Sequence, residues 1–138
     1  MDTYKTLNEV LVNLFRDVMD LEEKAIITQE YKDITNNDMH VIQAIGLDEP
    51  KNMSTIAREL SVMNSLVKKG YVNRERGTED RRVVYISLSE KGRKAYRHHE
   101  EFHHQMINAI LENLTQEETE SLVEAMAKLN RWFRGQQR

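Results

Sequence analysis

The run Leu66–Gly92, LVKKGYVNRERGTEDRRVVYISLSEKG, constrains the fold more than any other stretch of the chain. Two short segments rich in aromatic and β-branched residues, Tyr71–Arg76 and Val83–Leu88, flank a polar tip, Gly77-Thr78-Glu79-Asp80-Arg81-Arg82. β-formers bounded by Gly and Asp predict a hairpin. Arg74, Arg76, Arg81 and Arg82 all sit on or beside that tip. A solvated hairpin on any small domain would fit the pattern. So would the wing of a winged helix-turn-helix, a basic hairpin that leaves the end of a helix and reaches a DNA backbone or minor groove.

Charge distribution favours the wing. The whole chain carries a net charge of −3, which by itself speaks against a nucleic-acid binder. Residues 66–97, however, hold ten Lys/Arg against four Asp/Glu, while residues 1–65 hold six against twelve. An acidic body with one basic face steers a polyanion to that face and repels it elsewhere.

Composition sets the outer limits. At 138 residues the chain is expected to form a single domain with a modest core. Charged residues at 31% and no long apolar stretch predict a protein with no membrane span. The first residues, MDTYKTLNEV, lack the basic-then-apolar pattern of a secretory signal, so a cytoplasmic location is expected. Zero cysteines exclude disulfides, Cys-based zinc sites and thiol redox sensing.

The remaining pattern is helical. Leu7, Val10, Leu11, Leu14, Phe15, Val18, Leu21 and Ile26 recur at helical spacing and predict one long first helix. Thr35, ahead of Asn36-Asn37-Asp38, is a cap for a second helix, Met39–Ile45, that stops at Gly46. Leu47–Asn52, with the only proline, reads as a loop. Ser54 is expected to cap a short third helix, Thr55–Leu60, with Ile56, Ala57 and Leu60 facing inward. Ser89 caps a helix directly after the second strand, and Thr115-Gln116-Glu117-Glu118 is a capping box opening the last one. Leu122, Val123, Met126, Leu129, Trp132 and Phe133 line that last helix, and Met106, Ile107, Ile110, Leu111 and Leu114 the one before it. These stripes exceed what one small core would bury. A symmetric dimer interface built from both ends of the chain is the expected sink, with intrachain packing as the rival. A palindromic DNA operator would match its two-fold axis.

Asp80-x-Arg82, five further residues, then Leu88-Ser89-x-x-Gly92 resembles the wing signature of the MarR family of bacterial transcriptional regulators, and the order of elements is similar over nearly the whole chain. The resemblance implies a mainly α fold with a small β-hairpin wing. Residues 31–97 would form the winged-helix DNA-binding region, and residues 1–30 and 98–138 the dimerisation helices. It implies that Arg82 enters the minor groove and that Asp80 braces the tip. A guanidinium suits a narrow, negative groove, and a nearby carboxylate restrains it. Arg74, Arg76, Arg81, Lys68, Lys69, Ser54 and Thr55 join them as candidate DNA contacts, as do Asn64 and Ser65. The segments Tyr31–Ile42 and Glu101–His103 are similar to the branch of that family that represses fatty-acid biosynthesis genes. That likeness implies, as corepressor, a long-chain acyl group carried on acyl carrier protein. No other cofactor and no catalysis are expected.

One departure stands out. Chains of this family usually place about eight more residues, roughly two helical turns, between the positions of Val62 and Met63. Met63–Gly70 then looks like the last part of a recognition helix whose base-reading first half is absent. Either the helix is truly shortened, or a segment is missing and the numbering runs across a gap. The gap is the favoured account, since a basic wing would otherwise have little use. It predicts Val62 and Met63 to lie much farther apart than the roughly 3.8 Å of bonded neighbours. Asn64 and Ser65 reach DNA only on that account.

His99-Glu100-Glu101-Phe102-His103 fits H-E-x-x-H, two imidazoles one helical turn apart, which on a helix can hold zinc. His98 and His104 are further candidate ligands, and Glu120 or Glu124 a conceivable third. The charge-rich surroundings lack a substrate cleft, so the expectation is histidines on a solvated or dimer-facing helix, with His99 and His103 weak metal candidates. His40 is expected to be packed or capping, and Trp132 and Phe133 to be core or dimer contacts.

The combined reading is a homodimeric winged-helix repressor bound to a palindromic operator. A regulator of another regulon with a small-molecule or metal effector is one alternative. A dimeric interaction module that has lost base reading is the other.

Overall fold

Asp2 opens the first helical run by accepting the Lys5 N–H at 3.1 Å, satisfying one of the donors a helix start leaves open. The computed structural model describes residues 2–26, 30–56 and 60–137. The run comprises α1 (Thr3–Glu9), a π-helical turn (Val10–Leu14) and α2 (Phe15–Ile26). The expected long first helix is therefore present, interrupted by one π turn. Its apolar stripe faces outward, and Leu7, Leu14 and Phe15 are all more than half exposed.

The described residues group into two compact units, Met1–Phe102 and His103–Arg138. In the first, α3 (Asn36–Ile45) is capped by Thr35, whose hydroxyl accepts the Asp38 N–H while Asp38 accepts the Thr35 N–H. This reciprocal box places the helix start three residues ahead of the expected Met39. Gly46, at φ 74, ends it. α4 (Met53–Ile56) is capped by Asn52 rather than by Ser54: Asn52 Oδ1 accepts the Ser54 N–H at 3.0 Å. Ile56 packs against the core as expected, whereas Ala57 and the Leu60 side chain lie outside the described residues.

Leu47–Asn52 is not wholly a loop. Lys51–Asn52 forms a two-residue strand, β1, paired antiparallel with β3 (Val84–Leu88), which also pairs with β2 (Val72–Arg76). Sheet order is β1-β3-β2. A two-residue strand has no periodicity of its own, and the pairing that creates it is tertiary. The expected hairpin is present to within a residue at each strand, with Val72 opposite Leu88, Arg74 opposite Ile86 and Arg76 opposite Val84.

The core gathers Ile34, Met39, Ile42 and Ile45 below α3, Met63 and Leu66 from α5 (Leu60–Lys68), and Val72, Ile86 and Leu88 from the hairpin. Burying each large apolar side chain stabilises the fold by about 1.5–3 kcal/mol. Tyr71, fully buried, joins these parts. Its hydroxyl donates to Asp33 Oδ1 at 2.6 Å, and its carbonyl accepts the Ser89 N–H at 3.0 Å. Lys91 Nζ stands 4.4 Å over its ring. Burial, then the bond to Asp33, pushes the Tyr71 hydroxyl far above its ordinary value, and the same bond lowers Asp33.

α6 (Glu90–Glu112) starts at Ser89, whose hydroxyl accepts the Gly92 N–H and donates to the Gly70 carbonyl. Gly92 explains the end of the Leu88-Ser89-x-x-Gly92 pattern. A Cβ there would lie 2.1 Å from the Tyr71 carbonyl oxygen, so only glycine lets the helix start so close to the hairpin.

The second unit holds the end of α6 and α7 (Gln116–Gln136), which opens with the expected Thr115/Glu118 capping box. Trp132 and Phe133 meet edge to face at 4.9 Å, and both are more than half exposed, so they are not core residues. Among the described residues no helix is long and apolar enough to cross a membrane.

Candidate nucleic-acid interface

The wing is built by hydrogen bonds that its own sequence supplies. Gly77 N–H donates to the Val83 carbonyl at 2.8 Å, and Val83 N–H to the Asp80 carbonyl at 3.2 Å, closing the tip. Asp80 then binds its neighbour but one: Oδ1 accepts the Arg82 backbone N–H at 3.0 Å and Nε at 3.1 Å, and Oδ2 accepts from a terminal nitrogen at 3.2 Å. Planar carboxylate and guanidinium thus meet in a bidentate fork. These bonds hold the Asp80 carboxyl below its ordinary value. The Arg82 side chain is nevertheless 92% exposed, so its charge is aimed outward while its direction is fixed.

Arg76 is tied down as well, donating to the Arg81 carbonyl at 3.2 Å. Arg74 reaches from β2 to Asn64 on α5, with its guanidinium 3.0 Å from Asn64 Oδ1. This bond links the hairpin to the helix before it. Arg74, Arg76, Arg81, Asn64 and Lys68 are all exposed, and Ser65 is half-buried. Lys69 has a different role: it donates to the Asp33 carbonyl at 2.6 Å and pairs with Asp38 at 3.3 Å, which anchors α5 to the start of α3. Ser54 and Thr55 are exposed on α4, with both hydroxyls turned back to donate to Asn52.

The gap between Val62 and Met63 does not exist. α5 runs unbroken from Leu60 to Lys68 through that junction. Met63 and Leu66 are fully buried, and Val62 and Val67 pack beside them. These positions share one helical face, so the junction keeps the apolar period and a single helix forms across it. Among the described residues, the helix that would read bases spans Leu60–Lys68, nine residues rising about 14 Å.

The histidines also depart from expectation. His99 is buried rather than solvated, His40 is exposed rather than packed, and His98 rests its ring near Tyr31, centroids 5.4 Å apart. His104 is exposed, Glu124 pairs with Lys128 at 3.8 Å, and Glu120 accepts from Gln116 at 3.4 Å. The carboxylate beside His99 is Glu22 of α2, which sequence spacing did not suggest.

The family model described as Transcriptional regulator SarA/Rot matches residues 14–99, a span that contains α3, the sheet and the wing. The chain belongs to the SarA/Rot family of transcriptional regulators. The MarR-like winged helix inferred from the wing motif is the architecture observed. A crystal structure of Streptococcus pneumoniae FabT in complex with DNA is 31% identical, with a TM-score of 0.88, over 96% of this chain and 98% of that one. A putative MarR-like transcription regulator from Bacillus cereus, 19% identical over 93% of this chain and 96% of that one with a TM-score of 0.71, shares the fold. YwhA, an HTH-type transcriptional regulator of Bacillus subtilis, is 39% identical over 69 residues. That match spans half of this SarA/Rot-family chain and half of YwhA.

Proposed function

We propose that this chain is a DNA-binding transcriptional regulator, a homodimeric repressor of fatty-acid biosynthesis genes acting at a palindromic operator in the cytoplasm. The observation that carries the DNA-binding part is the forked Asp80–Arg82 pair, which aims an exposed guanidinium off the tip of a basic hairpin. A fixed guanidinium loses less freedom on entering a minor groove than a mobile one. Arg74, Arg76 and Arg81 add phosphate contacts along the same hairpin, which fix position without reading sequence. Similarity to a chain solved on DNA as FabT supports both the DNA contact and the fatty-acid assignment.

Dimerisation rests on the outward apolar faces. Leu7, Leu14 and Phe15 in the first helical run, and Val123, Met126, Trp132 and Phe133 on α7, are each more than half exposed. Apolar surface of this extent on a soluble chain marks an interface. A second copy of the same chain covers such surface symmetrically.

The proposed effector is a long-chain acyl group on acyl carrier protein, acting by preferring the DNA-competent dimer over the incompetent one. Binding of a fluorescent duplex from a fatty-acid gene promoter should tighten when long-chain acyl-acyl carrier protein is added, and not when the unacylated carrier is. Equal response to both would remove the acyl effector from the mechanism.

A second reading keeps its place because of α5. The described part of the reading helix, Leu60–Lys68, carries its apolar residues into the core and offers few side chains to base edges, as a dimeric interaction module without base reading would. Equal affinity for operator and scrambled duplexes would favour it.

A further inference from the structure

Arg82 and Arg74 are held by different kinds of partner. Asp80 meets Arg82 with a carboxylate, whereas Arg74 donates to the side-chain amide of Asn64 on α5, 3.0 Å away. A guanidinium only donates, so the atom facing it must be Oδ1, and the orientation of the amide is thereby fixed. An amide carries no net charge. The contact sets where the guanidinium sits without cancelling its charge, which a carboxylate at the same place would do.

Strand register explains why the two side chains meet. Arg74 follows Val72 by two residues and lies opposite Ile86, so it leaves the hairpin on the face that carries those buried residues. Asn64 is exposed next to the buried Met63, and Lys68, one turn later on α5, is exposed as well. The bond therefore closes at the open rim of the core, between the two elements that a winged helix lays against a duplex. Both partners are exposed, so a bond in exchange with water adds little to stability.

We propose that Asn64 is a positioning residue for DNA binding: its neutral amide holds Arg74 in place and leaves the full cationic charge for a backbone phosphate. The inference rests on the regulator reading above and names how one of its phosphate contacts is set. A long side chain fixed in advance gives up less rotamer freedom when it meets the phosphate. Asn64 acts through Arg74 and not by reading bases itself.

A double-mutant cycle on the full chain tests this, with a duplex of random sequence titrated at several salt concentrations. A phosphate contact is indifferent to base sequence, so the cycle does not depend on whether the chain has an operator. Arg74→Ala should weaken binding about tenfold at low salt and lower the salt slope by about one. Asn64→Ala keeps the charge and loses only its placement, so binding should weaken about threefold with the slope unchanged. In the Arg74→Ala background the effect of Asn64→Ala should vanish. Asn64→Asp keeps an acceptor for Arg74 but cancels its charge, and should lower the slope as Arg74→Ala does. Circular dichroism checks that each variant is folded, and Arg74→Gln takes the place of Arg74→Ala if the strand needs a longer side chain. An Asn64→Ala loss that persists without Arg74 would overturn the proposal, since Asn64 would then meet DNA directly. So would wild-type affinity in Asn64→Ala. A wild-type chain that binds no duplex would overturn it together with the regulator reading.

Discussion

Arg82 and Asp80 face each other across the wing tip as a bidentate fork, Nε to Oδ1 at 3.1 Å and the terminal nitrogen to Oδ2 at 3.2 Å. Both groups are solvent-accessible, so the pair adds little to stability. Its effect is on direction: the charge that would meet DNA is held in place before DNA arrives. Arg82→Ala is expected to weaken duplex binding by about 1–3 kcal/mol and to reduce the salt slope by about one, with the dimer intact. Unchanged affinity at matched salt would remove the wing from the mechanism. Asp80→Ala keeps the charge but frees it, and should cost less than Arg82→Ala in the same titration.

Gly92 leaves no room for a side chain against the Tyr71 carbonyl. Gly92→Ala must push α6 away from the hairpin, and overpacking of this kind costs about 1–3 kcal/mol. Urea unfolding should show the midpoint falling with little change in slope. A midpoint equal to the wild type would mean that the contact is loose in solution.

The Tyr71–Asp33 bond has a pH signature. Asp33 is held below the ordinary carboxylate range, first by the Tyr71 hydroxyl. A carboxyl depressed in the folded state adds stability above its unfolded value, near about pH 4, and loses it as pH falls through the folded value. Tyr71→Phe is expected to cost about 1–3 kcal/mol at neutral pH, a hydrogen bond to a charged group. The difference from wild type should shrink on acidification below about pH 4. A difference that stays constant into strong acid would contradict the assignment of that bond.

Leu129 lies on the exposed apolar face of α7. If that face is the dimer contact, Leu129→Glu should shift the sedimenting species from dimer to monomer, while far-ultraviolet circular dichroism stays unchanged. A variant that still sediments as the wild-type dimer would move the interface elsewhere.

Much of the fold was legible because its signals are local. Thr35 and Thr115 carry capping residues within three positions, and the hairpin announces itself by alternating residue types bounded by Gly77 and Asp80. The family motif pointed to Asp80 and Arg82, and the fork joins those two residues. Lys51–Asn52 became a strand only through pairing with Ile86 and Tyr85, and no local pattern carries that information. The role of Lys69 was missed for the same reason, since Asp33 and Asp38 are distant in sequence. The junction at Val62–Met63 was misread as a break because family length outweighed the apolar spacing of Val62, Met63, Leu66 and Val67, which already allowed one helix. Glu22 beside His99 needed the fold: H-E-x-x-H spacing says nothing of a residue on another helix.

The most direct test of the regulator reading is a comparison of duplexes. A palindrome selected from a random pool and its scrambled counterpart, of equal length and at physiological salt, would be titrated with the full chain. Sequence-specific binding should favour the palindrome by about 10³-fold, the lower end for specific regulators, given the few side chains that the described part of α5 offers. Equal affinity for the two, or no selected sequence at all, would contradict it and leave a dimer whose partner is a protein.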